Sequence, residues 1–410
     1  MLSRGVSGRL VGYRGPRPEV GITGGRLVRG VRAVTVVVAG LAIAGVAPGT
    51  ASAAKPTAVV SLGDSYISGE AGRWQGNSNN AAASRDGTDR SCSPSATVCA
   101  TYDKAKVYVD GSAANGCHRS DVAEVLGARI AVDRKVNLAC SGAVTANVFR
   151  ASSGGQAQDG LPPQADQLAA VAAQTRVKAV VLSIGGNDLG FASLVQACLT
   201  AYVTLQPPCQ GSQQANLDAK FPAMRAGVAK AIDEIRAVLT AAGTKPRDYR
   251  IIVQSYPSVM PRAAENRYPE TGPLRATLGG CPFYDSDSDW ARDSVVNQIA
   301  DSLRQVAAAK GAQFLDLRDA LQGREICSVS TRQASALDPP SATTSEWGRF
   351  LQVGSVVAQG DLQETFHPNA FAQQALSTCL TLVAAQASGS FACRNTPGAG
   401  PGAMRLVPAA

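Results

Sequence analysis

One serine of this chain, Ser65, lies where a nucleophile could form, in the stretch SLGDSYISGE at residues 61–70. A serine hydroxyl reacts only when a neighbouring base takes its proton, and histidine is a common base. The sequence contains only two histidines, His118 and His367, so there are few candidates for that base. Without such a partner, Ser65 would be an ordinary turn residue after a strand. Asp64 is predicted to organise this turn by accepting hydrogen bonds from backbone N–H groups.

The two histidines differ in their surroundings. His367 lies in the stretch QETFHPNAFAQQAL, directly before Pro368, a residue type that often begins a helix, so His367 is expected in a loop. His118 follows Cys117 and precedes a predicted helix, so we expect it to have a local role beside a disulfide-bonded neighbour. These positions favour His367 as the base for Ser65.

The elements that must position these residues alternate along the chain. Short apolar runs predict buried strands at residues 57–63, 136–140, 178–186, 249–257 and 312–317, and helical patterns occur at residues 121–132, 163–174, 215–242 and 287–310. This alternation predicts an α/β fold in which helices cover both faces of a parallel sheet. Ligand sites in such sheets lie beyond the carboxyl ends of the strands. The polar turns at residues 63–65, 141–142 and 185–188 should therefore converge at one edge.

Four short blocks occur in order, namely Gly63-Asp64-Ser65, the ACSGA stretch with Gly142, the GGND stretch at residues 185–188 and the FHPN stretch at residues 366–369. Together they resemble the blocks of the SGNH (GDSL) hydrolase superfamily, in particular its secreted, disulfide-bearing esterases and lipases of the actinobacterial type. The resemblance implies the α/β SGNH-hydrolase fold, a flavodoxin-like three-layer α/β/α arrangement with a parallel sheet, here with disulfide-stapled loop insertions. Tyr66 replaces the leucine of the superfamily's first block, a change that should not touch the chemistry.

The resemblance also implies roles for individual residues. Ser65 would attack an ester carbonyl while His367 takes its proton, giving an acyl-enzyme that water hydrolyses. The backbone N–H groups of Ser65 and Gly142 and the side-chain amide of Asn187 would form the oxyanion hole. The family often has an aspartate three residues before this histidine, where the present chain has Glu364. Either Glu364 or a backbone carbonyl is expected to orient the imidazole, and a carbonyl would make the site a Ser-His dyad.

The expected function is that of a secreted serine hydrolase that cleaves carboxylic esters, either of lipids or of other acyl compounds. The alternatives are a deacylase or acetylesterase of a polysaccharide or secondary metabolite, and a non-catalytic binding module on the same fold. The sequence has no G-x-S-x-G elbow, Walker A loop, H-E-x-x-H helix or dinucleotide fingerprint. We therefore expect no cofactor and no metal, and a monomer that takes a small-molecule or lipid ester.

The ten cysteines indicate disulfides, because an even number in an exported protein favours pairing. Zinc binding is the competing interpretation, but the chain has no C-x-x-C pair and few histidines. Joining neighbours along the sequence predicts five bridges: Cys92–Cys99, Cys117–Cys140, Cys198–Cys209, Cys281–Cys327 and Cys379–Cys393.

The two ends of the chain differ in composition from its middle. Seven arginines and one acid precede an apolar run at residues 33–47, which is shorter than the ~20 residues that span a bilayer. Residues 1–53 are therefore predicted to be an export signal, residues 54–395 the hydrolase domain and residues 396–410 a flexible tail. Residues after the signal include 32 basic and 30 acidic side chains. We therefore expect a secreted protein with no integral membrane span and no nucleic-acid partner.

Three long segments interrupt the predicted core, at residues 72–116, 258–290 and 328–364, and they are rich in Ser, Asn, Pro and Gly. Loops of this length in a compact domain usually have a function or are disordered. Because several of them carry a predicted disulfide, we expect ordered insertions that wall or lid the cleft.

Overall fold

A mostly parallel sheet forms the centre of the computed structural model, which describes residues 54–78, 87–92, 102–335, 337–352 and 361–409. The predicted export signal, residues 1–53, lies outside the described residues. Among those residues the sheet has seven strands, in the order β2-β1-β3-β4-β5-β6-β7. The strands are Thr57–Gly63 (β1), Arg134–Asn137 (β2), Arg176–Ser183 (β3), Arg250–Gln254 (β4), Gln313–Asp316 (β5), Ser390–Arg394 (β6) and Arg405–Pro408 (β7).

The strands from β1 to β6 pair in parallel, and β1 lies between β2 and β3. All residues of β1 after its first are buried, as expected for a strand with both faces covered, whose sequence is a continuous apolar run rather than an alternation. The five strands predicted from the sequence are therefore confirmed, with ends that differ by a few residues.

Twelve α-helical segments occur in the described residues, and several are single turns. They are Ser65–Ser68 (α1), Ser112–Asn115 (α2), Glu124–Gly127 (α3), Thr145–Val148 (α4), Gln164–Gln174 (α5), Phe191–Val203 (α6), Gln210–Ala241 (α7), Leu274–Thr277 (α8), Asp285–Trp290 (α9), Val296–Ala309 (α10), Asp361–Glu364 (α11) and Ala370–Ala384 (α12). Ala291–Val295 is a π-helical turn that joins α9 to α10. The predicted helix at residues 121–132 contains only the short α3, and α6 was not predicted.

The helices form two groups around the sheet. Helix α3 packs against α12 and against β1 and β2, whereas α7 packs against α4, α5 and α10, and α10 also contacts β4 and β5. This arrangement is the expected three-layer one. None of the helices in the described ranges combines the length and apolar composition of a membrane-crossing segment.

Four of the five predicted disulfides are present: Cys117–Cys140, Cys198–Cys209, Cys281–Cys327 and Cys379–Cys393. Cys92 is disulfide-bonded as well, and its predicted partner Cys99 lies outside the described residues. The Cys117–Cys140 bridge joins the loop of His118 to the end of β2, so it fixes the turn that contains Gly142.

The prediction of a flexible tail at residues 396–410 is wrong. Arg405–Pro408 forms β7, which pairs antiparallel with β6, and Met404 is buried at 6% exposure. Glycine and proline at residues 397–402 suggested flexibility, but the short apolar run that follows satisfies its backbone groups on the open edge of β6. This end of the chain is therefore part of the sheet.

Candidate active site

Ser65 lies on a closely packed turn at the carboxyl end of β1. Gly63 has φ +142°, and a Cβ at this position would lie 1.9 Å from the carbonyl oxygen of Ser183 at the end of β3, so the turn requires glycine. The backbone N–H of Asp64 donates to that carbonyl oxygen at 3.1 Å. Asp64 Oδ1 accepts from the N–H of Tyr66 at 3.2 Å and so caps α1. Asp64 thus makes the contacts of a turn organiser, and Ser65 is the first residue of α1.

Tyr256, at the end of β4, joins two of the sequence blocks. Its hydroxyl donates to Asp64 Oδ2 and accepts from the backbone N–H of Gly186 at 3.1 Å. Burial raises the pKa of Asp64 to about 7, although the hydrogen bond from Tyr256 opposes this shift. Tyr256 was not predicted as a site residue, since nothing in the sequence indicates which tyrosine would bridge the turns.

His367 lies in the loop between α11 and α12, and its Nε2 is 2.7 Å from Ser65 Oγ. Its other ring nitrogen, Nδ1, is 3.1 Å from the carbonyl oxygen of Thr365. A carbonyl oxygen only accepts hydrogen bonds, so in the neutral imidazole Nδ1 carries the proton. Nε2 is then free to accept from the Ser65 hydroxyl. The structure therefore brings the predicted nucleophile and base together in the tautomer that proton transfer requires.

Tyr66 contacts the loop that contains His367. Its hydroxyl donates to the carbonyl oxygen of Phe366 at 2.7 Å, and its ring centroid lies 5.1 Å from that of His367. Phe366 has φ +62°, a left-handed conformation that residues other than glycine rarely adopt. The tyrosine that replaces the family's leucine thus contacts a strained residue next to the base.

Of the two groups expected to orient His367, the backbone carbonyl lies at Nδ1, and Glu364, which was also predicted to be a catalytic residue, does not contact the imidazole. Its carboxylate is buried and accepts from Trp74 Nε1 at 2.7 Å and from the Tyr108 hydroxyl, and it lies 3.2 Å from Arg73 Nε. Burial raises the pKa of Glu364, while the charge of Arg73 lowers it. These partners turn the carboxylate away from the imidazole, so the geometry is that of a Ser-His dyad held by a main-chain carbonyl.

The three predicted oxyanion donors lie beside Ser65 at the same edge of the sheet, and all three residues line one cavity. Among the described residues, neither the backbone N–H of Ser65 nor that of Gly142 has a protein acceptor. One N–H of the Asn187 amide donates to the carbonyl oxygen of Ala143 at 3.0 Å, which orients the amide and leaves its second N–H available. Asp188 accepts from the Thr145 hydroxyl at 2.6 Å. These contacts give Asp188 a structural role.

A buried carboxylate, Glu70, also faces the site and was not predicted. Its Oε2 accepts from the Ser141 hydroxyl and lies 3.9 Å from His367 Nε2. Its Oε1 accepts from Gln363 Nε2 at 2.7 Å and lies 3.0 Å from His118 Nδ1. His118 therefore belongs to the wall of the active site, although only a local role was expected. Glu70 ends the stretch that contains Ser65, but a lone acid there has no spacing that distinguishes it from a surface residue.

A cavity of about 590 Å³ opens over Ser65 and His367. Its polar side holds Glu70, His118 and Gln363, and its larger apolar side comes from α6, from residues 256–260 and from residues 283–299. The described parts of all three predicted insertions contribute lining residues, as expected for walls of the cleft. The apolar side includes Leu194, Val195, Val259, Phe283, Val296 and Ile299.

Two groups of metal-ligand residue types occur among the described residues, and each combines a cysteine pair with one aspartate. Both pairs form disulfides, so their sulfurs are not thiolate ligands. Neither group therefore has the chemistry of a metal site.

The parallel sheet and the helices that cover it form the SGNH hydrolase fold. A serine and a histidine are in contact at the carboxyl edge of this sheet, beside the glycine and asparagine donors. The chain belongs to the GDSL-like lipase/acylhydrolase family, whose model matches residues 61–375.

Several solved structures are similar to this chain. The extracellular lipase from Streptomyces rimosus is 21% identical, with 80% of this chain and 100% of that chain covered and a TM-score of 0.47. A carbohydrate acetylesterase from Sinorhizobium meliloti is 13% identical, with 67% and 89% covered and a TM-score of 0.29. An aryl esterase from M. smegmatis is 13% identical, with 69% and 89% covered and a TM-score of 0.29. A comparison with curated protein sequences finds no match.

Proposed function

We propose that this protein is a secreted serine hydrolase that cleaves carboxylic esters with apolar acyl groups through an acyl-enzyme on Ser65. One observation carries the proposal: His367 Nε2 lies 2.7 Å from Ser65 Oγ on the floor of a cavity large enough for a small-molecule substrate. A turn serine without a catalytic role has no need of a base at this distance.

In the first half of the reaction, the proton of Ser65 moves to His367 Nε2 as Oγ forms a bond to the ester carbonyl carbon. The negative charge that develops on the carbonyl oxygen is stabilised by the N–H groups of Ser65, Gly142 and Asn187. The tetrahedral intermediate collapses when the ester C–O bond breaks, and the leaving alcohol takes the proton from His367. In the second half, a water molecule gives a proton to His367 and attacks the acyl carbon. The bond from that carbon to Ser65 Oγ then breaks, and Oγ takes the proton from His367, which releases the acid and regenerates the dyad.

The division of the cavity supports the choice of substrate. The apolar wall from Leu194 to Ile299 can bury an acyl chain, and burial of each CH₂ group contributes about 0.8 kcal/mol. The polar side, with Glu70 and Gln363, suits the hydroxyl groups of an alcohol. An enzyme for acetyl esters would not need this apolar volume, so we favour longer acyl groups over the acetylesterase alternative.

The disulfides support secretion, since such bridges persist in oxidising compartments. The arginine-rich leader and its apolar run support an export signal in residues 1–53.

Hydrolysis of p-nitrophenyl esters from acetate to palmitate tests the proposal, together with labelling by a fluorophosphonate that reacts with activated serines. We expect turnover with an optimum beyond acetate, one label per chain on Ser65, and loss of both in Ser65→Ala. An optimum at acetate would favour the deacetylase. A folded protein that neither turns over any ester nor takes the label would be a binding module.

A further inference from the structure

Glu70 places a negative charge next to the atom of His367 that moves the proton. Its side chain is 1% exposed, and its Oε2 lies 3.9 Å from His367 Nε2. In a Ser-His-Asp triad the carboxylate stands at Nδ1 of the histidine and stabilises the imidazolium that forms during the reaction. Here Nδ1 contacts a neutral carbonyl oxygen, that of Thr365, which orients the ring but supplies no full charge.

We propose that Glu70 is a positioning residue that stabilises the imidazolium form of His367, supplying from the Nε2 side the charge that a triad supplies at Nδ1. This inference rests on the proposed function, because it assigns Glu70 a role in the same reaction.

The distance from Glu70 to His367 suits an electrostatic role. At 3.9 Å the two atoms are too far apart for a hydrogen bond, so Glu70 does not compete with Ser65 or the leaving alcohol for the Nε2 proton. Two unit charges still attract at this separation, because the Glu70 side chain is 1% exposed and that of His367 is 13% exposed, and such burial lowers the effective dielectric constant below that of water. The proton therefore passes from Ser65 to His367 and on to the leaving alcohol, and Glu70 stays ionised throughout.

Three neighbouring side chains keep Glu70 ionised and in place. Ser141 donates to Oε2, and Gln363 and His118 contact Oε1 at 2.7 and 3.0 Å. Although burial would raise the pKa of Glu70, the hydrogen bond from His118 and the charges of His367 and His118 hold this pKa below its usual range.

Other titratable groups face this cluster. Tyr108 and Glu364 lie behind Glu70, and both feel its charge. Glu364 itself is directed to Arg73, Trp74 and Tyr108. The ring of Tyr66 packs against the imidazole, with its centroid 5.1 Å away, and burial raises the pKa of Asp64, the residue before Ser65, to about 7. Among the described carboxylates near the dyad, Glu70 is the one with an oxygen within 4 Å of His367 Nε2.

The variant Glu70→Gln keeps the shape of the side chain and removes its charge. The acidic limb of the kcat/KM profile against pH reports protonation of the base in the free enzyme. Without the nearby anion the imidazolium is less stable, so we expect this limb to move to lower pH by about one unit. The plateau value of kcat/KM should fall by about 10- to 100-fold. This loss corresponds to only part of the attraction between two unit charges at this distance. A purely structural role would lower the plateau and leave the limb in place.

Glu325→Gln is the matched control, because Glu325 is also fully buried but does not line the cavity; its profile should keep the wild-type limb. Should Glu70→Gln not fold, Glu70→Asp keeps the charge but withdraws it by one methylene, and the limb should move in the same direction by less. An unmoved limb in a folded Glu70 variant would overturn the proposal. Fluorophosphonate labelling separates this failure from that of the proposed function, because wild-type protein that does not label at Ser65 refutes the hydrolase itself.

Discussion

The imidazole of His367 is held by the main chain, since its Nδ1 lies 3.1 Å from the carbonyl oxygen of Thr365. Both residues belong to the loop between α11 and α12, so the loop's own conformation sets the orientation of the ring. That conformation is supported by the hydroxyl of Tyr66, which donates to Phe366 between them. A side-chain carboxylate at Nδ1 is therefore not needed to fix the tautomer.

The first prediction concerns Glu364. His367→Ala should abolish turnover, whereas Glu364→Gln should keep kcat/KM within about threefold of wild type, because Glu364 does not contact the imidazole. Glu364→Gln should instead lower the free energy of unfolding by about 2 kcal/mol, since Arg73 loses the carboxylate 3.2 Å away but keeps Asp89 at 3.7 Å. Ester kinetics and urea unfolding on the same preparations check both parts. Loss of turnover in a folded Glu364→Gln protein would restore the triad.

A second prediction concerns the oxyanion hole. Asn187→Ala should lower kcat by about 10² to 10³ and leave KM nearly unchanged, because the amide acts mainly on the charge of the transition state. Asn187→Asp keeps the size of the side chain but replaces the donor by a carboxylate, so it should lose at least as much. Steady-state kinetics on one p-nitrophenyl ester separates kcat from KM. Activity of Asn187→Asp near that of wild type would show that Asn187 does not face the oxyanion.

The positions of Ser65, Gly142 and Asn187 at one edge could be predicted because each follows a continuous apolar run that stops at a polar turn. Parallel strands with both faces covered leave this signal in any sequence. The match of four spaced blocks then pointed to His367 as the partner of Ser65. No local pattern could do so, because the two residues are far apart in the sequence. The local sequence was thus enough to predict which turns meet at the edge of the sheet. The pairing of Ser65 with His367 came from the resemblance.

Other features depend on tertiary contacts that sequence does not reveal. Glu364 stands three residues before His367 as the family pattern suggests, but Arg73 and Trp74 from a distant loop turn it away. Glu70 becomes part of the site only because the loop of His118 and the segment of Gln363 fold over it. Strand β7 was missed because glycine and proline precede it, and its short run gains order only by pairing with β6.

A third prediction tests the apolar wall as the acyl site. Val195 on α6 lines the cavity, so Val195→Trp should fill part of it. The kcat/KM for palmitate esters should fall roughly tenfold or more while that for acetate esters changes little. Val203→Trp on the same helix is the control, because Val203 is 59% exposed and does not line the cavity. An equal loss for all chain lengths in Val195→Trp would place the acyl group elsewhere.

The last prediction concerns Glu325 and the pH dependence of stability. Burial raises the pKa of Glu325 from an ordinary value of 4.5 to about 8. The native state therefore keeps a proton that the unfolded state loses, so this group's contribution to stability is full below pH 4.5 and is lost as pH rises towards about 8. Glu325→Gln removes this dependence. Relative to wild type, the variant should gain stability across that interval, by at most about 5 kcal/mol.

Urea unfolding at a series of pH values measures this gain. The constant cost of burying an amide shifts the variant equally at every pH, so the test is the change of the difference with pH and not its absolute size. Ser65→Ala serves as a background in which catalysis is absent and Glu325 is intact, and its stability should follow the wild-type pH curve. A difference between Glu325→Gln and wild type that stays constant with pH would show that Glu325 is ionised in the native protein, with its charge compensated by neighbours such as Arg292, which already lowers its pKa.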